Sequence, residues 1–327
     1  MDKRAKRSSG DAAPLECRGR FVHGLLEVPD AAAAMEMLLV DKPTGCTSHD
    51  VVALARRSLG VRKAGHAGTL DPIATGLLVL GLGRATRLLG YLTGLDKEYE
   101  AVARLGVATD TLDREGEVVV EDSAWVGLAE AEIRRAASVI FGTLEQTPPS
   151  YSAVKVGGVA AHRRARRGEK VGLPPRRVVV RELEVVGVEL PEVRFRVLCS
   201  SGTYIRSLAA ELGRRLGTSA HIAELRRTRV GSFSVADAAS LAELRGGTVP
   251  RQARMGPVAA LSHLPSVTVD ERDAARLANG ARVPTSAADS AQATFIADEG
   301  GRLVAVGEVR GGVLHPRTVF RREVGGR

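Results

Sequence analysis

Strand-like and helix-like segments follow one another irregularly between about residues 35 and 245, and this order leaves few possible folds. The segment MEMLLVDKPTGCTSHDVVALARRSLG (residues 35–60) predicts a strand, a Pro-Gly turn and a helix capped by Thr47 or Ser48. Further along, RRVVVRELEVVGVEL and VRFRVLCSSG predict neighbouring strands, and TYIRSLAAELGRRLG predicts a helix directly after them. Because consecutive strands are mixed with helices, the pattern indicates an α+β fold with a mixed sheet and flanking helices.

The composition changes after this region, at RGGTVPRQARMGP (residues 245–257). From about Pro265 the chain offers the short strand-like segments PSVTVD, ATFIAD, RLVAVGEVR and RTVF, separated by glycine turns. We therefore expect a large domain that could carry a catalytic site over residues 35–250 and a small β-rich domain over residues 262–327. Residues 1–34 open with a basic stretch that no apolar h-region follows, so we expect them to form a disordered basic arm.

The charge balance favours a nucleic-acid partner. The 47 Lys and Arg residues exceed the 38 Asp and Glu residues, which gives a net charge of +9. Much of this excess lies in an insertion-like segment at about residues 150–180 and in the residue just after it. Glu169 is the acidic residue between Ala160 and Arg181, and the basic residues there are Arg163, Arg164, Arg166, Arg167, Lys170, Arg176, Arg177 and Arg181. The segment LRRTR (residues 225–229) adds three arginines. Such a run can be a solvated face, but this density favours phosphate binding.

Several other classes of protein are excluded by the sequence. Three scattered cysteines do not make a disulfide framework or a zinc site. No phosphate-binding P-loop motif is present, and GLGRATRLLG (residues 81–90) lacks the spacing of a dinucleotide motif. The segment DTLDREGEVVVE has the length of a calcium loop, but Leu112 stands where a ligand belongs. No apolar run reaches the length of a membrane span. We expect a cytoplasmic protein without metal or cofactor.

The segment KAGHAGTLDPIATG (residues 63–76) holds one carboxylate, Asp71, in a glycine-rich loop before a buried strand. An ionised aspartate can act as a covalent nucleophile. Burial alone would raise its pKa, so a nucleophilic Asp71 needs a cationic partner, for which Arg206 at the start of a helix is suitable. The alternative is an Asx-turn that only closes the loop. Spacing alone favours the turn.

Six motifs, in order, carry a resemblance to a known family: LLVDKPTGCTSHD, AGHAGTLDPIATGLLVL, DKEYEAVARLG, PPSYSAVKVGG, CSSGTYIRSLAAELG and AHIAELRR. Together they resemble the TruB family, the tRNA pseudouridine-55 synthases. The resemblance implies a pseudouridine synthase-like mixed sheet and, less specifically, a C-terminal PUA-like RNA-binding domain. It implies isomerisation of the T-loop uridine at tRNA position 55, by base flipping and without cofactor or metal. The implied partner is the T-arm of tRNA, and we expect a monomer without an obligatory protein partner.

The resemblance also assigns catalytic roles. Asp71 of GTLDP matches the family's nucleophile, Arg206 of GTYIR matches its charged partner, and Tyr99 of DKEYEA matches the tyrosine that stacks on the flipped uracil. Tyr99 is also a candidate proton acceptor at C5. From pattern alone, Tyr99 could equally be an aromatic residue of a strand that packs in the core. The alternative function is a tRNA-folding chaperone whose chemistry is secondary. Because phosphate binding alone needs none of these three residues, their joint presence favours catalysis.

Five further residues match the family's supporting positions. His66 would occupy the space that the flipped base leaves, and Tyr204 and Leu225 would line the substrate pocket. Lys42 and Pro43 of DKPTG would support the site from behind. From pattern alone His66 could brace a loop, and Leu225 could be a core leucine of a helix. The chain departs from the family in the segment VAAHRRARRG (residues 159–168), where a histidine stands in place of the expected tyrosine.

Overall fold

The computed structural model describes residues 35–149, 151, 152, 154–161, 164, 167, 169 and 172–321, so the expected N-terminal arm lies outside the described residues. Its strands are β1 (Met35–Lys42), β2 (Ala64–His66), β3 (Thr75–Gly83), β4 (Lys97–Leu105), β5 (Val107–Thr109), β6 (Val118–Glu121), β7 (Gly142–Gln146), β8 (Lys155–Val156), β9 (Val159–Ala160), β10 (Arg176–Glu189), β11 (Glu192–Cys199), β12 (Ala220–Val230), β13 (Phe233–Ser234), β14 (Ala239–Ser240), β15 (Arg254–Met255), β16 (Ser266–Val269), β17 (Val283–Pro284), β18 (Ser290–Asp298), β19 (Leu303–Arg310) and β20 (Val313–Val319).

The helices are fewer than the strands among the described residues. They are α1 (Ser48–Ser58), α2 (Leu89–Thr93), α3 (Glu130–Ser138), α4 (Ile205–Arg215), α5 (Leu241–Gly246), α6 (Pro257–Ala260) and α7 (Glu271–Ala278). Single 3₁₀ turns occur at Arg84–Leu88, Val235–Asp237 and Arg251–Ala253. In the part of the chain that the structure describes, no helix has the length and apolar character needed to span a bilayer.

One large mixed sheet forms the body of the molecule. Its strand order is β14-β1-β3-β12-β4-β11-β10-β7, with β2, β13 and β15 paired to strands of this series. Most neighbours are antiparallel, but β12 runs parallel to β3 and β14 runs parallel to β1. The prediction of an α+β fold with a mixed sheet and flanking helices is confirmed.

Helices α1, α3 and α4 cover one face of this sheet. Residues of β4 alternate between buried and more exposed positions, as expected for a strand with one packed face. Apolar side chains of the three helices share a single core with the buried side chains of β4, β11 and β12. Helix α1 begins where the sequence predicted, because Thr47 and Asp50 form a reciprocal capping box.

The parallel contact between β3 and β12 is short and close. Only two residue pairs are in register, Arg226 with Thr75 and Arg227 with Gly76. Gly76 has a φ of 99°, and a Cβ atom built there would lie 2.2 Å from Arg227 O. Only glycine fits both the backbone conformation and the distance between the strands. This junction brings the loop before β3, which contains Asp71, against β12.

The C-terminal region forms a second sheet of five strands in the order β16-β18-β19-β20-β17. It has a small core of its own and shares a second core with the face of β1 and β3 that α1 does not cover. Hydrogen bonds from Arg84 and Arg87 to the carbonyl oxygens of Arg321 and Val319, both 2.6 Å long, join the turn that follows β3 to the end of β20 and the residues after it. The prediction of a small β-rich C-terminal fold is confirmed.

Helix α7 is absent from the sequence prediction for this region. Asp270 caps its first turn by accepting a hydrogen bond from Asp273 N at 2.8 Å, and Leu277 is its buried residue. Helix α7 has only eight residues, and so short an apolar pattern is not recognisable in the sequence between strand-like segments. The described C-terminal region is therefore β-rich with one helix of two turns.

Candidate active site

The backbone on both sides of Asp71 is tied to the start of α1. The Ser48 hydroxyl accepts a hydrogen bond from Leu70 N at 2.9 Å and donates one to Leu70 O at 3.2 Å. Thr44 Oγ1 donates to Ile73 O at 3.1 Å. Because residues on each side of Asp71 are fixed in this way, the loop presents the Asp71 carboxylate from a rigid backbone.

Lys42 lies beneath this loop and is fully buried. Burying an ammonium group is costly unless hydrogen bonds compensate for the lost water. Lys42 Nζ donates to Cys46 O at 2.8 Å, to Pro43 O at 2.9 Å and to Pro72 O at 3.3 Å. These three carbonyls match the three donors of an ammonium group. Lys42 therefore links Pro43 to Pro72, the residue that follows Asp71, and supports the loop from below.

Asp71 and Arg206 form an ion pair. Arg206 Nη2 lies 3.0 Å from Asp71 Oδ2. The Arg206 side chain is 4% exposed, whereas the Asp71 side chain is 35% exposed. The guanidinium is thus held inside the protein, while the carboxylate remains reachable from outside. An Asx-turn alone would not require this partner.

Arg206 also contacts two other segments of the chain. Its Nη1 lies 3.2 Å from Asp113 Oδ2 and donates to Thr111 O at 2.6 Å. Its Nη2 donates to Tyr151 O at 2.8 Å as well as contacting Asp71. One guanidinium therefore serves two carboxylates and two backbone carbonyls, which fixes its plane.

Asp113 was missed from the sequence, where its turn was considered only as a calcium loop. The turn is held by hydrogen bonds to Asp113 Oδ1 from Thr111 Oγ1 at 2.7 Å and from Glu115 N at 3.1 Å. Leu112 has a φ of 61°, a conformation that is unusual for a residue with a Cβ atom. This turn directs the Asp113 carboxylate and the Thr111 carbonyl at Arg206. No cluster that could hold a metal ion occurs among the described residues.

The surroundings of Asp71 act on its pKa in both directions. Burial raises the pKa of the Asp71 carboxyl above its ordinary value, the Arg206 charge opposes this rise, and the Asp113 charge adds to it. The balance is a raised pKa. A nucleophilic Asp71 consequently depends on Arg206 to remain ionised.

Tyr99 lies on β4, 8% exposed, directly opposite Arg227 of β12. Burial raises the pKa of the Tyr99 hydroxyl, and Arg227 opposes the rise through its charge and a hydrogen bond. Arg227 itself is 1% exposed and donates to Leu77 O at 2.8 Å and to Gly68 O at 3.0 Å. Arg227, one of the arginines of LRRTR that add to the basic charge, is therefore buried and braces the loop of Asp71.

His66 ends β2 and is half-buried. Its Nδ1 accepts a hydrogen bond from Gly68 N at 3.3 Å, and its ring packs edge-on against His49 with 5.6 Å between ring centres. Burial lowers the pKa of His66 to about 4, with the neighbouring His49 and Arg227 as further causes. The imidazole is neutral near pH 7, so any contact with RNA would be through stacking or hydrogen bonds.

Tyr204 and Leu225 lie on different elements from each other. Tyr204 immediately precedes α4, and the Arg176 guanidinium lies over its ring, 5.5 Å from the centre. Leu225 lies on strand β12 and not on a helix, but it is buried in the main core, as the alternative of a core leucine requires. Together with Ile73 and Thr75, Leu225 lines an open cavity of about 430 Å³. Ile73 is two residues after Asp71 in the chain.

A larger cavity of about 810 Å³ lies elsewhere, between α7, the β18–β19 turn and Phe320. None of the residues predicted for the site is among the described residues that line it. The candidate active site around Asp71 and Arg206 therefore lies apart from this larger cavity.

The basic insertion is only partly within the described residues, and His162, Arg163, Arg166 and Lys170 lie outside them. Two of its described cations have carboxylate partners: Arg164 contacts Glu169 at 2.6 Å, and Arg181 contacts Asp96 at 2.5 Å. Arg181 is exposed and Arg164 is half-buried, so both pairs are accessible to water, and phosphates could replace the carboxylates.

Comparisons with known proteins identify the family of the chain. The N-terminal domain model of the TruB family pseudouridylate synthases matches residues 56–205, and the tRNA pseudouridylate synthase B C-terminal domain model matches residues 206–253. The tRNA pseudouridine synthase B of Thermobifida fusca (strain YX) is 46% identical over 292 residues, which cover 87% of this chain and 98% of the relative. The same enzyme of Geobacillus thermodenitrificans (strain NG80-2) is 41% identical over 301 residues, with coverages of 87% and 99%.

Solved structures give the same answer for the fold. A chain of a Cbf5–Nop10–Gar1 complex superposes with a TM-score of 0.70 at 29% identity, covering 89% of this chain and 87% of that one. A chain of an H/ACA RNP bound to a substrate RNA containing 2′-deoxyuridine superposes with a TM-score of 0.68 at 26% identity, with coverages of 89% and 86%. From these matches together, the chain belongs to the TruB family of pseudouridylate synthases.

Proposed function

We propose that this protein converts the T-loop uridine at position 55 of tRNA to pseudouridine, with Asp71 as the nucleophile. Membership of the TruB family and relatives named tRNA pseudouridine synthase B, aligned over nearly their whole length, support the tRNA pseudouridine synthase activity. The T-arm as the target and position 55 as the modified uridine follow from what the family resemblance implies. We expect the enzyme to act as a monomer in the cytoplasm, without metal or cofactor.

One observation carries the assignment of Asp71: a reachable carboxylate with a buried guanidinium 3.0 Å from it. The reaction needs an anionic oxygen that can bond to carbon, either at the sugar C1′ or on the base. The Arg206 guanidinium supplies the opposite charge and can orient the carboxylate. A chaperone that only grips tRNA would have no use for this pair.

The isomerisation conserves all atoms. The bond between C1′ and N1 of the uridine breaks, a bond between C1′ and C5 forms, and the proton on C5 is replaced by one taken up at N1. No electron, water or leaving group is consumed or released overall. A single nucleophile, one proton acceptor and a pocket in which the uracil can turn are therefore sufficient.

The remaining residues fit this scheme as follows. Tyr99 would stack on the flipped uracil and is the candidate acceptor for the C5 proton, aided by Arg227 beside it. Tyr204 and Leu225 would line the pocket. His66 would occupy the space left by the flipped base, where a neutral ring replaces the lost stacking. The supporting role of Lys42 and Pro43 rests on the carbonyl contacts next to Asp71.

The domain assignment is part of the same proposal. Residues 35–250 would carry the chemistry, the insertion at about residues 150–180 would grip the phosphates of the T-arm, and residues 262–327 would form an RNA-binding domain. The arm of residues 1–34 has no assigned role.

The proposal is tested by substituting Asp71→Asn and measuring pseudouridine formed in an unmodified tRNA transcript. The amide keeps the shape of the carboxyl but is no nucleophile, so we expect no detectable product while tRNA binding persists. Asp237→Asn, which removes an exposed carboxylate far along the chain, is the matched control and should retain the parent rate. Conversion by Asp71→Asn at the parent rate would show that another group is the nucleophile.

A further inference from the structure

Gln146, the last residue of β7, makes an unusual pair of hydrogen bonds. It is 7% exposed, and its side-chain amide faces the backbone of Tyr204. Tyr204 N donates to Gln146 Oε1 at 2.7 Å, and Gln146 Nε2 donates to Tyr204 O at 3.0 Å. The side chain thus pairs with the main chain of Tyr204 as a neighbouring strand would, and it satisfies a backbone N–H at the start of a helix.

The clamped residue immediately precedes the first turn of α4. Arg206 is the second residue of α4, and therefore its position depends on how this turn is held. The chain that follows Gln146 runs along the same turn: Ser207 Oγ donates to Thr147 O at 3.5 Å, and Arg206 Nη2 donates to Tyr151 O at 2.8 Å. The start of α4 is thus fixed by the segment that leads into the basic insertion.

The other end of the insertion reaches the same residue. Arg176 lies directly opposite Gln146 in the β7–β10 pair, and its guanidinium covers the Tyr204 ring. Gln146, just before the insertion, therefore holds the backbone of Tyr204, and Arg176, near the end of the insertion, covers its ring.

We propose that Gln146 is a positioning residue for pseudouridine formation: by clamping Tyr204 it fixes the first turn of α4 and holds Arg206 against Asp71. This inference rests on the proposed function and assigns a role to a residue outside the family motifs quoted above. Gln146 acts through Arg206 and carries no charge of its own. Its loss should therefore slow the chemical step and leave the affinity for tRNA nearly unchanged.

The size of the effect follows from geometry. Without the amide, Tyr204 N loses its hydrogen-bond acceptor, and Tyr204 O keeps only the bond from Leu208 N at 3.2 Å. The first turn of α4 can then tilt. A shift of the guanidinium by about 1 Å would break its simultaneous contact with two carboxylates, and misplacements of that size reduce rates by about tenfold to a hundredfold.

The test compares Gln146→Leu, which keeps the side-chain volume and removes both hydrogen bonds, with the parent enzyme on a tRNA transcript. We expect kcat to fall at least about tenfold, with KM and the Kd for tRNA changed less than about twofold. The same substitution is then made in an Arg206→Lys background, where it should cost less than about threefold, because the geometry it protects is already lost. Thr143→Ala, an exposed change on the same strand, is the control for β7 and should match the parent.

Gln146→Glu keeps the acceptor for Tyr204 N and loses the donor, so it provides a second variant if Gln146→Leu does not fold. A rate between those of the parent and Gln146→Leu is expected. A parent-like kcat in either folded variant, or an equal loss in the parent and Arg206→Lys backgrounds, would overturn the inference. Absence of pseudouridine with the parent enzyme would instead overturn the proposed function.

Discussion

At the scale of single residues, the guanidinium of Arg206 joins three segments that are far apart in sequence. It contacts Asp71 in the loop before β3, Asp113 in the turn after β5 and the carbonyl of Tyr151 beyond β7. One positive charge stands between two negative ones, so each carboxylate weakens the hold of Arg206 on the other. Asp113 therefore influences the ionisation of Asp71 without needing to touch the substrate.

This arrangement predicts a pH dependence. Burial raises the pKa of Asp71, with Arg206 opposing and Asp113 adding to the rise. Because the nucleophile is the anion, the rate should fall as the pH drops through this raised pKa, at a higher pH than an ordinary aspartate would give. Asp113→Asn removes the negative charge that raises the pKa and leaves Arg206 more fully to Asp71. Its acid limb should therefore move to lower pH.

Single-turnover rates measured across the acidic range check this prediction. Glu117→Gln, which neutralises an exposed carboxylate of the same turn, should leave the limb where the parent has it. A limb that stays fixed in Asp113→Asn, or moves to higher pH, would contradict the coupling between the two carboxylates.

At the scale of elements, the short junction between β3 and β12 organises the site. Through it, Arg227 of β12 reaches the carbonyls of Gly68 and Leu77 on each side of the loop that holds Asp71. The two strands approach closely at Gly76, where no Cβ atom fits. The position of the nucleophile thus depends on a strand contact of only two residue pairs.

Gly76→Ala should destabilise the protein by at least about 2 kcal/mol, because it adds a left-handed backbone penalty to a clash with Arg227 O. Gly90→Ala is the control: Gly90 lies in α2 with open space around it, so the change should be neutral or stabilise by about 0.5 to 1 kcal/mol. Thermal or urea unfolding of both variants measures the difference. Equal stability of the two would mean that β3 and β12 are not held as closely as described.

Local patterns predicted the elements that depend on local forces. The capping box at Thr47 and the apolar spacing of Leu208 and Leu212 in α4 are readable because the residues involved are neighbours along the chain. The roles of Asp113 and Arg227 could not be predicted, since they arise from contacts between distant segments. The strand around Leu225 was also not predicted, and the alternative for Leu225 placed it in a helix. Two bulges in the pairing of β12 with β4 interrupt the alternation of polar and apolar residues that would indicate a strand.

At the scale of the whole molecule, the two sheets share a core and the net charge is +9. Many described arginines already have a carboxylate partner, including Arg226 with Asp41 at 2.7 Å. The cations available to phosphates are therefore fewer than the sequence count suggested.

The affinity for tRNA should accordingly fall steeply with salt. Each phosphate contact contributes about 0.7 to 0.9 to the slope of log affinity against log salt concentration. Substituting the exposed Arg167 and Arg177 by glutamine should reduce the slope by about 1 to 2. Arg135→Gln, an exposed change in α3, should not alter it. Filter binding with the inactive Asp71→Asn variant avoids turnover, and an affinity indifferent to salt would rule out the insertion as the grip.

The central claim is that the Asp71–Arg206 pair serves a pseudouridine synthase with one target in the T-loop. Its most direct test is to incubate the purified enzyme with an unmodified tRNA transcript and to map pseudouridine at single-nucleotide resolution. We predict one modified site, the uridine at position 55, and none with Asp71→Asn. Modification elsewhere, at several positions, or nowhere in an intact tRNA would contradict the account.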